Sequence, residues 1–175
     1  MKRIYRILMI VHAFVGIGAI GGGIMAILNP QGPGGMPADA LQNSPFNNYL
    51  IPGIILFTVI GLGNIFASVT ILLKSKYQGY ISSVFSWALV IWIIVQCIML
   101  RAVAFLHVLY LIIGLIEAFL SFLILLNQRL FPAGIVFGIT KYAREKFPEN
   151  KLIRYIIRVE SFIRGENVPS SGANL

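Results

Sequence analysis

Four long runs of apolar residues follow one another along the chain, and short polar stretches separate them. The runs cover about residues 4–28, 50–73, 81–100 and 105–126. Each is long enough to cross a bilayer, because about 20 helical residues span a hydrocarbon core of roughly 30 Å. Lipid offers the backbone no hydrogen-bond partner, so each run is expected to be helical. The pattern predicts an all-α fold in which residues 1–128 form a four-helix transmembrane bundle.

The chain after residue 128 follows a different pattern. Within residues 129–166, the segment LIRYIIRVESFIR places apolar side chains on one helical face and basic ones opposite. We expect a C-terminal amphipathic helix on the cytoplasmic membrane surface, where Lys151, Arg154 and Arg158 bind anionic lipid headgroups. Residues 131–143 are apolar but too short to cross, so they either prolong the fourth span or lie on the membrane surface. Residues 167–175 are expected to be disordered.

Composition and charge place the chain in a membrane and give it an orientation. Hydrophobic residues make up 58% of the chain and charged residues 11%, which excludes an ordinary soluble enzyme. Of 14 Lys and Arg residues, all but Arg101 fall in the N-terminus, the loop at 74–80 and the tail. The positive-inside rule therefore predicts a multi-pass protein of the bacterial inner membrane with both termini cytoplasmic. Because orientation accounts for the basic excess, no nucleic-acid partner is expected.

Polar side chains are rare within the apolar runs, and Glu117 is the most costly of them. It lies near the middle of the fourth run, where a charge costs about 2.5–3.5 kcal/mol. Asn64 lies at a similar depth in the second run, so the two form the candidate intramembrane polar site. His12, in the first run, and Gln96, near the outer end of the third, are weaker candidates. Glu117 is either a proton relay or cation-binding carboxylate, or a buried carboxyl that hydrogen-bonds a neighbouring helix and holds the bundle together.

Small residues in the first two runs predict close helix packing. Gly18 and Gly22 have the GxxxG spacing, and Gly63 and Ala67 offer a similar face in the second run. Such faces let helix backbones approach each other closely. We expect these contacts to form within one copy of the chain, and a homodimer seam is the alternative.

Metal and catalytic chemistry find little support in the sequence. Cys97 is the single cysteine, so no disulfide or zinc cage can form within the chain. His12 and His107 are expected at depths that differ by about 20 Å, which is too far apart to ligate one metal or haem iron. We find no nucleophile elbow, metalloprotease motif or nucleotide-binding loop. The sequence therefore predicts no metal site, no cofactor and no enzyme activity.

Two stretches resemble a group of small bacterial four-span membrane proteins of unknown activity. The first is ALQNSPFNNYLIPGIILF, and the second is SWALVIWIIVQCIML followed by AFLHVLYLIIGL. The resemblance covers about residues 5–125 and leaves out the basic tail. It implies a bacterial inner-membrane setting and no mechanism.

These patterns lead to one principal functional hypothesis and two alternatives. The first is a non-enzymatic accessory or regulatory membrane subunit whose tail binds anionic lipid or a protein partner. The main alternative is a small oligomeric transporter or channel that uses Glu117 as a protonatable site. A weaker alternative is an enzyme that acts on a lipid or quinone near the outer loop, where Asp39, Arg101 and His107 would converge.

Overall fold

The computed structural model describes residues 2–146 and 151–164, apart from the side chains of residues 144, 151–154, 157, 162 and 164. Within these residues the fold is all-α, and four helices are long and apolar enough to cross a membrane. These helices confirm the predicted class of a four-helix transmembrane bundle followed by a short C-terminal helical segment. The end predicted to be disordered, residues 167–175, lies outside the described part.

The helices follow the apolar runs along the chain. The elements are α1 (Lys2–Leu28), α2 (Leu50–Ile55), a π-helix (Leu56–Leu62), α3 (Gly63–Leu72), α4 (Gln78–Leu100), α5 (Phe105–Asn127), α6 (Ala133–Lys146) and α7 (Lys151–Arg164). The segments from α2 to α3 form one continuous second span, Leu50–Leu72. The chain divides into two compact units, Lys2–Phe122 and the residues from Leu123 onward.

The second span contains a π-helical segment that the sequence pattern did not predict. In a π-helix each N–H bonds to the carbonyl five residues earlier, so a turn takes in more residues than an α-helical turn. The face that α3 presents is therefore rotated from where a straight α-helix would place it. Asn64 lies in the first turn of α3, directly after this segment.

Glycines bring α1 and the second span into close contact. A Cβ atom at Gly23 would lie 2.7 Å from the backbone nitrogen of Phe57, and one at Gly16 would lie 3.0 Å from the carbonyl oxygen of Gly61. Only glycine fits where two backbones approach this closely. The antiparallel pair also carries a hydrogen bond from the Ser68 hydroxyl to the Met9 carbonyl, at 2.9 Å.

The four residues predicted to pack helices occupy different environments. Ala67 is fully buried in α3, and Gly63 lies against the ring of Phe85 on α4. Gly18, in contrast, faces the hydroxyl of Tyr110 on α5. The atoms within 4 Å of a Cβ added at Gly18 all belong to Tyr110, and none belongs to the second span. Gly22 is only partly buried, with a Leu56 methyl as the nearest neighbour of an added Cβ.

The loop of residues 29–49, called the outer loop because the sequence predicts it on the outer side, folds over the ends of α1 and α4. Two short 3₁₀ turns, Pro33–Gly35 and Ala38–Leu41, give it local structure. Tyr49 anchors it, because its N–H donates to the Pro30 carbonyl at 2.9 Å and its hydroxyl to the Pro37 carbonyl at 3.3 Å. Burial raises the pKa of the Tyr49 phenol, so this group stays protonated as a donor.

The second unit begins with the last residues of α5 and turns sharply into α6. The Leu130 N–H donates to the Leu125 carbonyl and the Arg129 N–H to the Leu126 carbonyl, which is the Schellman pattern at a helix end. Helix α6 is therefore a separate helix that begins at Ala133 and does not continue α5. Helix α7 packs against α6, and the Asn127 side chain donates to the Ile163 carbonyl at 2.8 Å.

Candidate functional site

A polar cluster lies inside the first unit, where three helices each contribute one side chain. His12 of α1, Asn64 of α3 and Glu117 of α5 are all 0% exposed. The Nδ1 atom of His12 is 2.7 Å from Asn64 Oδ1 and 3.1 Å from Glu117 Oε1. The structure thus places the two predicted residues of the intramembrane polar site around His12, the weaker candidate.

The hydrogen bonds of Asn64 assign the proton on His12. The Asn64 Nδ2 amide donates to the Ile60 carbonyl at 2.8 Å, so Oδ1 is the atom turned toward His12. Oδ1 can only accept, and His12 Nδ1–H must therefore donate to it. The Glu117 carboxyl lies beside this N–H without an aligned hydrogen bond from any described residue, and His12 Nε2 has no described partner either.

This arrangement places two ionisable groups side by side in a buried setting. With Nδ1 protonated, the pair has no net charge when one further proton is held by either His12 Nε2 or the Glu117 carboxyl. A charge on one group without the opposite charge on the other costs several kcal/mol, roughly, in an apolar interior.

Buried serines that the sequence did not single out lie at the level of the cluster and one helical turn beyond it. Gly114 of α5 packs against Leu89 and Val90 of α4, and the two helices are antiparallel. Continuing this register inward places Ser86 level with Glu117 and Ser82 level with Ser121. All three serines are fully buried, and the Ser82 hydroxyl has no hydrogen-bond partner among the described residues. The i, i+4 spacing of Ser82 and Ser86 was the available signal.

A cavity of about 500 Å³ opens in the half of the same unit that lies nearest the loop of residues 29–49. Val15, Ile60 and Leu89 form its inner end, and these residues lie about one helical turn from His12, Asn64 and Ser86 along their helices. The loop residues Pro33, Gly34, Met36 and Tyr49 line its outer end. Gln96 lines this cavity and lies about 15 Å along α4 from Ser86, so it does not join the polar cluster.

The basic residues of the tail are only partly described. Arg158 is exposed on α7, and the side chains of Lys151 and Arg154 lie outside the described part. On the apolar face of α7, Ile163 is buried, whereas Ile156 and Val159 remain more than one-third exposed. The described part of α7 is therefore amphipathic, and the apolar side chains of Ile156 and Val159 are left uncovered.

Comparison with known proteins gives no family for this chain. No family model, no curated protein and no solved structure matches it. The four long apolar helices suggest a four-span membrane protein, and no homologue is identified. Among the described residues, no three His, Cys, Asp or Glu side chains are grouped as a metal ion would require.

Proposed function

We propose that this chain is a non-enzymatic membrane transporter that uses the His12–Glu117 pair as its proton-binding site. The carrying observation is the 3.1 Å contact between His12 Nδ1 and Glu117 Oε1 in a fully buried setting. Ionisable groups inside a membrane bundle mark proton and substrate pathways more often than other positions do. We further propose the bacterial inner membrane as its location, with both termini cytoplasmic.

The geometry favours transport over a purely structural role for Glu117. A carboxyl that only joined helices would be expected to use both oxygens in hydrogen bonds, yet neither oxygen has an aligned partner among the described residues. The nearby cavity supplies space for a cargo one helical turn away. Alternating exposure of the pair to the two sides would carry a proton across the membrane, with or without a cargo in the cavity.

Proton flux into liposomes tests this proposal. The purified protein is reconstituted with a trapped pH-sensitive dye, and a potassium gradient with valinomycin drives proton entry. Wild type should acidify the lumen faster than protein-free liposomes do, and Glu117→Gln should reduce the rate to that background. Glu145→Gln is the matched control, because Glu145 is exposed on α6 and the substitution makes the same change from carboxyl to amide.

Two outcomes would contradict the transporter. In one, Glu117→Gln incorporates normally and conducts protons at the wild-type rate. In the other, Glu117→Gln and His12→Gln both fail to accumulate in the membrane, as expected if the pair is needed only for folding.

The accessory or regulatory subunit remains the second candidate, and α7 is the observation that favours it. Its basic residues and the uncovered Ile156 and Val159 suit an anionic membrane surface or a protein partner. Purification in mild detergent followed by mass spectrometry separates the two candidates. A second protein in stoichiometric amount supports the accessory subunit, and a homo-oligomer without a partner supports the transporter.

A further inference from the structure

Three aliphatic side chains lie between the cavity and the polar cluster. Val15 of α1, Ile60 of the π-helix and Leu89 of α4 are at most 2% exposed and belong to one hydrophobic core cluster. They form the inner end of the cavity, and we call these three side chains the aliphatic plug. The polar residues that lie about one helical turn further along the same helices are His12, Asn64 and Ser86.

Helix α5 closes the remaining side of the aliphatic plug. A Cβ atom added at Gly114 would lie 3.3 Å from both Cγ and Cδ2 of Leu89, so the Leu89 side chain already reaches the α5 backbone. Ile113, the residue before Gly114, packs against the same core cluster. Each of the four spans therefore contributes apolar surface at this level. An apolar constriction of this kind resists the passage of water and ions.

Ionisable groups without hydrogen-bond partners lie directly behind the aliphatic plug. His12 Nε2 and both carboxyl oxygens of Glu117 are buried, and none of these atoms has a hydrogen-bond partner among the described residues. Buried polar atoms that lack a partner are unfavourable, and water that passed the aliphatic plug would satisfy them. Access past the aliphatic plug therefore decides whether the pair exchanges protons with the cavity.

The π-helix links the aliphatic plug to the polar cluster. The Ile60 side chain belongs to the aliphatic plug, and the Ile60 carbonyl accepts from Asn64 Nδ2 at 2.8 Å. The Oδ1 atom of the same Asn64 amide lies 2.7 Å from His12 Nδ1. Segments of π-helix are rare and occur frequently at functional sites. A movement of this segment would therefore shift the aliphatic plug and the His12 contact together.

We propose that the aliphatic plug is a gate that controls proton exchange between the cavity and the His12–Glu117 pair. The gate regulates the site of the transporter proposed above, and it rests on that function. In the closed arrangement, the three side chains keep water that enters the cavity away from the pair. When the π-helix moves Ile60 away from Val15 and Leu89, the pair is exposed to the side of the membrane on which the cavity opens.

Thiol modification tests the gate without a measurement of proton flux. In a Cys97→Ala background, Ser86→Cys places a single thiol behind the aliphatic plug. Its modification by the neutral reagent 2-hydroxyethyl methanethiosulfonate is followed in detergent by mass spectrometry. The reaction needs a thiolate, which a dry apolar setting disfavours. Leu89→Ala removes the side chain that meets α5, so it should raise the modification rate by about tenfold.

Leu41→Ala is the matched control for this substitution. Leu41 is 2% exposed, as Leu89 is, but it belongs to the second core cluster and is not among the described residues that line the cavity. It should leave the rate at Ser86→Cys unchanged, which separates opening of the aliphatic plug from a general loss of stability. Ile60→Val removes one methyl group from the aliphatic plug and should raise the rate about threefold. It serves as the test if Leu89→Ala does not accumulate.

Proton flux into liposomes separates the gate from the transporter. Leu89→Ala should conduct protons faster than wild type, and Leu89→Ala combined with Glu117→Gln should conduct at the protein-free rate. The gate is overturned if neither Leu89→Ala nor Ile60→Val raises the rate of thiol modification, or if Leu41→Ala raises it equally. Faster modification without proton flux in wild type or Leu89→Ala would support the barrier at the aliphatic plug and contradict the transporter.

Discussion

At the scale of single residues, the sequence predicted how deep each polar side chain lies in the membrane. It did not predict which face of its helix points toward the other helices. Counting residues from the helix ends placed Asn64 and Glu117 at one level, and the structure brings them to within contact of the same imidazole. The count could not tell that His12 faces them, because a nearly uniform apolar run gives no sign of which face is buried. The same uniformity hid Ser82 and Ser86, since serine also occurs on lipid-facing surfaces.

Asn64 supplies the acceptor that holds His12 in the polar cluster. Replacement by leucine removes the aligned acceptor of His12 Nδ1–H, and the Glu117 oxygen 3.1 Å away is not aligned to take its place. We expect Asn64→Leu to lower the free energy of unfolding by about 1–3 kcal/mol. Thr58→Val is the control, because the exposed Thr58 hydroxyl bonds only to the Ile54 carbonyl of its own helix. Denaturant unfolding in micelles measures both, and equal effects would show that the Asn64 contact adds no stability.

At the scale of elements, the length and apolarity of the runs were enough to predict the helices. They were not enough to predict which residues of those helices pack together. The GxxxG spacing indicated Gly18 and Gly22, whereas the closest backbone contact of α1 is at Gly23. Five glycines between residues 16 and 23 occupy several faces of one helix, so spacing alone cannot select among them. The π-helix was equally hidden, because hydrophobic periodicity cannot register an extra residue per turn where nearly every residue is apolar.

Gly21 and Gly23 form a matched pair that tests this packing. Gly23→Ala places a methyl group against the Phe57 backbone, which cannot give way as a side chain can. We expect a loss of about 1–3 kcal/mol of stability from overpacking. Gly21→Ala meets nothing within 4 Å and should gain about 0.5–1 kcal/mol from helix propensity. Thermal unfolding in micelles should therefore rank Gly21→Ala above wild type and Gly23→Ala below it.

The end of the second span gives a prediction about backbone strain. Lys74 has φ 52°, a left-handed conformation that caps the helix through bonds from Lys74 N–H to Ile71 and from Ser75 N–H to Thr70. Glycine adopts this conformation without a Cβ penalty. We expect Lys74→Gly to be more stable than Lys74→Ala by about 1 kcal/mol.

Both Lys74 variants lose the same charge, so their difference isolates the backbone. Denaturant unfolding in micelles measures it, and a larger stability for Lys74→Ala would contradict the strained cap.

At the scale of the whole molecule, the sequence predicts an orientation in the membrane that contacts within the chain cannot reveal. The four spans come from hydrophobic length, and they agree with the helices found. The side of the membrane on which each loop lies depends on an external asymmetry that no contact within the chain records. For this reason orientation still rests on the basic residues, of which Arg101 alone lies in the loop between the third and fourth spans.

Cysteine labelling in intact cells tests this orientation. In a Cys97→Ala background, Ala38→Cys on the outer loop should react with a membrane-impermeant maleimide, whereas Ser75→Cys between the second and third spans should react only after the cells are opened. The positive-inside rule gives this result because Lys74 and Lys76 resist translocation and the outer loop carries no basic residue. The reverse pattern would place both termini outside. It would also turn the cavity of the first unit, which opens beneath the outer loop, toward the cytoplasm, and the proposed transporter would then load its cargo from within the cell.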